Sequence, residues 1–243
     1  MEFANDAVCQ STGNRSVEGA GHCASCHTSK NLLGGDSSDY LQGGTLQGWH
    51  APDLTSNPHT GLGSWSKDDI ASYLHSGTNN ITASSGPMTE AIENSTQYMT
   101  PEDLQAIASY LKSLPASDVP KPTPVSMTDP AMKDGKLVFE TQCGACHVSN
   151  GTGVRKMIPA LVNNPQINSP DPASLLNVVL NGTYGPMTHA NPTGAGMPAF
   201  AEKLSDDNIA AVLTYIRNSW GNAATPVDTR TVAEARKKIN VAH

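Results

Sequence analysis

The chain has 243 residues, a net charge of −7 and a pI near 5.5, long enough for two domains of roughly 100 residues each. Its 15 Lys and Arg form no run able to offset phosphate charge, which argues against nucleic acid as a partner. Aromatics make up 5% of the chain, with three Phe against 21 Gly and 17 Pro, so neither half fills a core from its own side chains and something else has to supply apolar bulk.

No stretch approaches the ~20 apolar residues of a membrane span, and MEFANDAVCQ has neither the basic start nor the apolar centre of a signal peptide. The expectation is a chain that is soluble as given, processed or trimmed ahead of residue 1. Residues 1–14 read as a tail whose Cys9 is a free thiol or an intermolecular crosslink.

A short helical lead-in then reaches HCASCHT at 22–28, followed by a long loop containing Pro52-x-Leu54. Ser66, between Trp65 and Ile70, is placed to cap the helix IASYLHSG, and Thr100, between Met99 and Leu104, to cap LQAIASYLKSL; both are hydrophobic-staple arrangements. Residues 115–130, PASDVPKPTPVSMTDP, hold five prolines and no apolar period, the composition of a semi-rigid extended linker.

Beyond the linker the order of features returns: a lead-in, CGACHV at 143–148, Pro159-x-Leu161, a helix LLNVVLNG, methionine-bearing loops, and IAAVLTYIRNSW. Asp171-Pro172 opens the first of these helices with proline at the first helical position, and Ser205 between Leu204 and Ile209 caps the last. Apolar spacing near 3.6 throughout, without a convincing alternating strand, predicts an all-α fold with long Gly- and Pro-rich loops. The domains expected are 15–114 and 131–221, joined by the 115–130 linker and followed by an extension over 222–243. In that extension Val232, Ala235 and Ile239 share one side of a helix, with Arg230, Arg236, Lys237 and Lys238 elsewhere. The expectation is a solvated helix folded back on the body, with docking to a membrane surface as the alternative.

Two cysteines three apart at a helix start lie on one side of a single turn, so both sulfurs can add to the vinyl groups along one edge of a haem while the next histidine reaches the iron. Cys23, Cys26 and His27, and again Cys143, Cys146 and His147, fit that chemistry. A zinc site needs further Cys or His at ligand spacing, and a thioredoxin-type centre needs a βαβ setting, and neither is seen. Two covalent haems would also supply the missing bulk. For the sixth iron ligand, Met197 in AGMPAF is preferred over Met187, and Met88 in SSGPM over Met99, whose place before Thr100 gives it a packing task; core filling is the plain alternative for each. Histidine with methionine leaves no open position on iron, which suits electron transfer. The carbonyls of Pro52 and Pro159 are the expected acceptors for the second nitrogen of each histidine. His50, His59, His75 and His189 are expected at the surface or in packing roles, the first, second and fourth in polar loops and His75 near a helix C-terminus.

GAGHCASCHT, LQGWHAPDLTSNPHTGLGSWSKDDIASYL, GPMTEAIENSTQYMTPEDLQAIASYLKSLP and MPAFAEKLSDDNIAAVLTYIRNSWGN closely resemble the cytochrome c subunits of bacterial membrane-associated alcohol, gluconate and related sugar dehydrogenases. The resemblance spans about residues 17–235. It implies tandem class I-type cytochrome c domains, a periplasmic location, peripheral membrane association, and no catalysis by the chain itself. Electrons would come from a dehydrogenase subunit with a flavin or quinone cofactor and go to quinone, a terminal oxidase or another cytochrome of the respiratory chain. It also supports Met88 and Met197, because GPM and MP-x-F carry the family's axial methionines. Members usually have three haem domains, and only the second and third have counterparts here, so either a first domain is absent from this chain or it is a two-haem relative. The rival reading is a di-haem enzyme, peroxidase-like or thiosulfate-oxidising, with one open haem position and a polar distal residue.

Overall fold

The computed structural model describes residues 10–240, with side chains described through residue 238; Cys9 lies outside the described residues. Residues 10–14 are helical and run into a π-helical turn at Arg15–Ala20, so the lead-in begins inside the stretch read as a tail. The lead-in of the second half repeats this design, as Pro130–Val138 followed by the π turn Phe139–Cys143. Each lead-in crosses the last helix of its own half at a glycine. A Cβ on Gly13 would stand 2.1 Å from the carbonyl oxygen of Ala106 in Pro101–Ser113, and one on Gly135 2.1 Å from that of Ala211 in Asp206–Arg217. Only a residue without a side chain lets the backbones approach that closely.

The expected helix starts are present with their caps. Ser66 and Asp69 form a reciprocal capping box on Lys67–Ser76, Thr100 accepts from Asp103 N–H, and Ser205 accepts from Asn208 N–H. Ala173–Asn181 begins one residue later than expected: Pro172 is its N-cap, and the Asp171 carboxylate accepts from Ala173 N–H. Lys67–Ser76 stops at Gly77, whose φ of 75° is the left-handed conformation glycine adopts without cost.

Two short antiparallel ladders interrupt the otherwise helical chain. Gly44–Leu46 pairs with Trp49–Ala51, and Thr183–Tyr184 with Gly196–Met197. The first is a two-residue hairpin with φ of 50° at Gln47 and 80° at Gly48, the turn that matches strand twist. It puts His50 on a strand rather than in a loop.

The apolar clusters divide along the chain. One joins Val17, Leu41, Trp65, Ile70, Ala108 and Leu111; a second joins Met132, Phe139, Leu161, Val212 and Tyr215; a third joins Leu176, Leu180, Ile209, Leu213 and Val232. The third holds the carboxy-terminal helix Thr229–Asn240 against the body through Val232 and Ala235, with Arg236 bound to Asp206 at 2.7 Å; the Ile239 side chain lies outside the described ones. The proline-rich segment has no regular structure, and it is tied down at both ends rather than free. Asn57 Nδ2 donates to the Ser117 and Val119 carbonyls, Lys121 to the Gly221 carbonyl, and Val125 N–H to Asn218 Oδ1.

Candidate functional site: two histidines held by proline carbonyls

Each Cys-x-x-Cys-His closes one tight helical turn after a π turn, three residues beyond it in the first half and directly in the second. In the first, Ala24–His27, His27 N–H bonds the Cys23 carbonyl at 2.9 Å; the second is Gly144–His147. The loop behind each histidine is fastened in the same way. Gly43 N–H bonds the His27 carbonyl at 2.9 Å and Gly153 N–H the His147 carbonyl at 3.0 Å, while Leu54 N–H returns to Leu41 and Leu161 N–H to Gly151. These bonds bring the two proline carbonyls to the rings. His27 Nδ1 lies 2.7 Å from the Pro52 carbonyl oxygen, and His147 Nδ1 lies 3.2 Å from that of Pro159.

A carbonyl oxygen only accepts, so Nδ1 is the protonated nitrogen in both rings and Nε2 carries the lone pair. Burial holds both pKa values below the ordinary histidine value, against the carbonyl bonds that raise them. The result is a neutral imidazole with a defined tautomer, the form that ligates a metal. Among the described residues no three His, Cys, Asp or Glu gather into a group that could hold an ion, which is not what a structural zinc site needs. The thiols are free, and burial pushes Cys23 above its usual value and Cys143 up to about 11. A reactive dithiol centre needs the opposite shift.

The donor set fits haem c, and one further observation agrees. The buried Trp65 Nε1–H has no acceptor. It belongs to the apolar cluster against which Cys23 packs, so the core of the first half holds an unsatisfied buried donor that a bound group with an acceptor would satisfy.

Met88 is the second residue of Pro87–Asn94 and is half-buried; the preceding Gly86 has φ 58° and lies against the Trp49 ring, where a Cβ would come within 2.7 Å. Met99 packs on the first apolar cluster. Met197 is half-buried on a strand and paired with Thr183. Met187 is 63% exposed and its N–H binds the Glu93 carboxylate across the halves.

Sequence reading missed a polar seam between the halves. His50 N–H and C=O both bond the Ser174 hydroxyl at 2.9 Å, His59 Nε2 bonds the Ala223 carbonyl at 2.7 Å, and His189 N–H bonds Gln97 Oε1 at 3.0 Å. Nearby, Arg217 is wholly buried, donating to the Thr225 and Ile167 carbonyls, with burial lowering its pKa to about 10. None of these partners is close in sequence, and no local pattern marks them.

Helix-rich halves, each presenting one carbonyl-oriented histidine beside paired cysteines, define a c-type haem-binding protein. The cytochrome c family model matches residues 12–115 and 132–220, and the chain belongs to the cytochrome c family, whose members bind haem c covalently. It is 38% identical to the gluconate 2-dehydrogenase cytochrome c subunit of Pantoea cypripedii, over 94% of this chain and 56% of that one. It is 39% identical to the cytochrome c subunit of the quinone alcohol dehydrogenase of Gluconobacter oxydans, over 87% and 48%. It is 32% identical to the fructose dehydrogenase cytochrome subunit of Gluconobacter japonicus, over 92% and 51%. The chain spans about half the length of these relatives.

Proposed function

We propose that this chain is a di-haem electron carrier made of two tandem cytochrome c domains, over residues 15–114 and 131–221. Cys23 and Cys26 would attach one haem, with His27 and Met88 as its iron ligands; Cys143 and Cys146 would attach the other, with His147 and Met197. The donor would be a dehydrogenase subunit with a flavin or quinone cofactor, and the acceptor a quinone, terminal oxidase or other cytochrome of the respiratory chain, in the periplasm. The observation that carries this reading is the duplication: each family match contains one Cys-x-x-Cys-His whose histidine is fixed by a proline carbonyl. Relatives named as cytochrome subunits of dehydrogenases support the choice of donor. No helix of the described residues is long and apolar enough to cross a membrane, and peripheral association is part of the proposal.

Haem c supplies a one-electron couple at iron without bond-making in a substrate. What the chain does is hold and tune. Pro52 and Pro159 fix the ring tautomers, so that Nε2 is available without prior proton loss. The Thr183 to Met197 pairing and the helix carrying Met88 restrict where those thioethers can go.

The test is an optical and EPR redox titration of the purified protein, with carbon monoxide added to the reduced form. Two low-spin haems that exclude carbon monoxide are expected. Met88→Ala should retain the covalent haem of the first half and admit carbon monoxide there alone, and Met197→Ala should do the same in the second. A wild-type haem that binds carbon monoxide readily would replace the carrier reading with an enzyme.

A further inference from the structure

The peptide group between Pro159 and Ala160 makes two hydrogen bonds that face opposite halves of the molecule. Its carbonyl accepts from His147 Nδ1 at 3.2 Å, and its N–H, on Ala160, donates to the carbonyl of Ile81 in the first half at 3.1 Å. His147 is thus linked to the first half through one amide. Ile81 is held for this task. Asn79 Oδ1 accepts from both Ile81 N–H and Thr82 N–H at 2.8 Å, and Asn79 Nδ2 donates to the Asp69 carbonyl at 3.1 Å. From the other side Asn164 Nδ2 bridges Thr82 Oγ1 and the Ala160 carbonyl, both at 3.0 Å, and Arg155 Nε binds Asn80 Oδ1 at 3.1 Å.

The crevice along this contact, lined by Asn79, Thr82, Arg155 and Pro159 among others, has a volume of about 10 Å³. That is room for about one water. In the first half Asp53 occupies the place of Ala160, and its carboxylate turns inward to Thr55, Thr60 and Ser117. The two otherwise matching proline-to-histidine contacts therefore differ here.

We infer that the Ile81 carbonyl is a positioning group for His147, through which the first half tunes the second redox centre. Hydrogen bonds in a chain polarise one another, so donation from Ala160 N–H makes the Pro159 carbonyl a stronger acceptor. A stronger acceptor at Nδ1 leaves more electron density at Nε2, and a more basic ligand favours the oxidised metal. The first half thus lowers the potential of the second haem. The same 77–86 loop leads into Met88, so the element that would carry the distal ligand of one centre supports the proximal ligand of the other.

The inference rests on His147 holding a haem, and the experiment separates the two. Both midpoint potentials are measured by spectroelectrochemical titration on the full holoprotein, after covalent haem count by intact mass. The variants are Ala160→Pro, which removes the N–H, Ala160→Gly, which keeps it, and Asn79→Ala, which loosens the turn holding Ile81. Ala160→Pro and Asn79→Ala should raise the second haem's potential, shifting its reduction equilibrium about twofold or more. Ala160→Gly should leave it in place, and the first haem should hold its value in Ala160→Pro. An unchanged second potential in Ala160→Pro and Asn79→Ala, with both haems attached, overturns the inference; if Ala160→Pro does not fold, Asn79→Ala decides alone. A wild-type protein with no haem on Cys143 and Cys146 overturns the underlying haem assignment, and the inference with it.

Discussion

The His59 imidazole reaches the Ala223 carbonyl through Nε2 at 2.7 Å, and burial holds its pKa below the ordinary histidine value; that hydrogen bond opposes the shift and Lys121 adds to it. Because the folded pKa is depressed, the unfolded chain binds more protons in the window between the folded and unfolded values. Stability contributed by the neutral ring is therefore complete above the unfolded value, about 6.5, and is lost as pH falls through the folded one. The holoprotein should lose thermal stability as pH falls below about 6.5. In His59→Gln, whose amide can still donate to Ala223, the decline should be shallower. Parallel melting-temperature curves for the two proteins would remove His59 from the acid response. His27 and His147 carry downward shifts from the same cause, but iron ligation would take both out of this titration, so the holoprotein isolates the seam histidines.

The paired lead-in and final helices make the packing argument twice. At Gly13 the nearest atoms to an added Cβ are the Ala106 carbonyl at 2.1 Å and Tyr110 Cβ at 2.8 Å; at Gly135 they are the Ala211 carbonyl at 2.1 Å and Tyr215 Cβ at 2.7 Å. Backbone cannot rotate away as a side-chain tip can, so the helices must separate. Alanine gains about 1 kcal/mol of helix propensity and loses about 1–3 kcal/mol or more to overpacking. Gly13→Ala and Gly135→Ala should each lower the melting temperature of the holoprotein, by about 2–4 °C per kcal/mol lost. An unchanged or higher value in either would mean that crossing has slack. The contrast in what was legible follows from range. Caps, staples and Cys-x-x-Cys-His are local, so Ser66, Thr100, Ser205 and both histidines were readable from neighbouring residues. Gln47-Gly48 is a local turn signal too, but the strands it joins are three residues each, too short to show an alternating pattern. The close glycine crossings and the anchoring of the 115–130 segment depend on partners far along the chain, and no spacing rule reaches them.

Whether the molecule behaves as one body depends on the seam. Ser174, at the start of Ala173–Asn181, accepts from His50 N–H and donates to the His50 carbonyl, both at 2.9 Å, while Asn177 Nδ2 reaches the Gly48 carbonyl at 2.8 Å. One hydroxyl thus satisfies both backbone groups of a residue on the first half's hairpin. The 115–130 segment is bound to the first half at Ser117 and to the second at Lys121 and Val125, so it adds covalent continuity along a path already tied to both bodies. Interfaces between domains of one chain are often weak enough to open. Here unpairing the half-buried backbone groups of His50 should cost about 0.5–1.5 kcal/mol at Ser174 alone. The expected result in guanidinium is a single wild-type transition, coincident for haem absorbance, which would report both proposed centres, and for tryptophan fluorescence from Trp49, Trp65 and Trp220. Ser174→Ala should lower the unfolding free energy by that amount and move the midpoint to lower denaturant, by that loss divided by the slope m. Two separate wild-type transitions would mean that the halves fold and open independently. In that case the distance between the two proposed haems would be set by an equilibrium rather than by the fold, and electron exchange between them would slow as the seam opened.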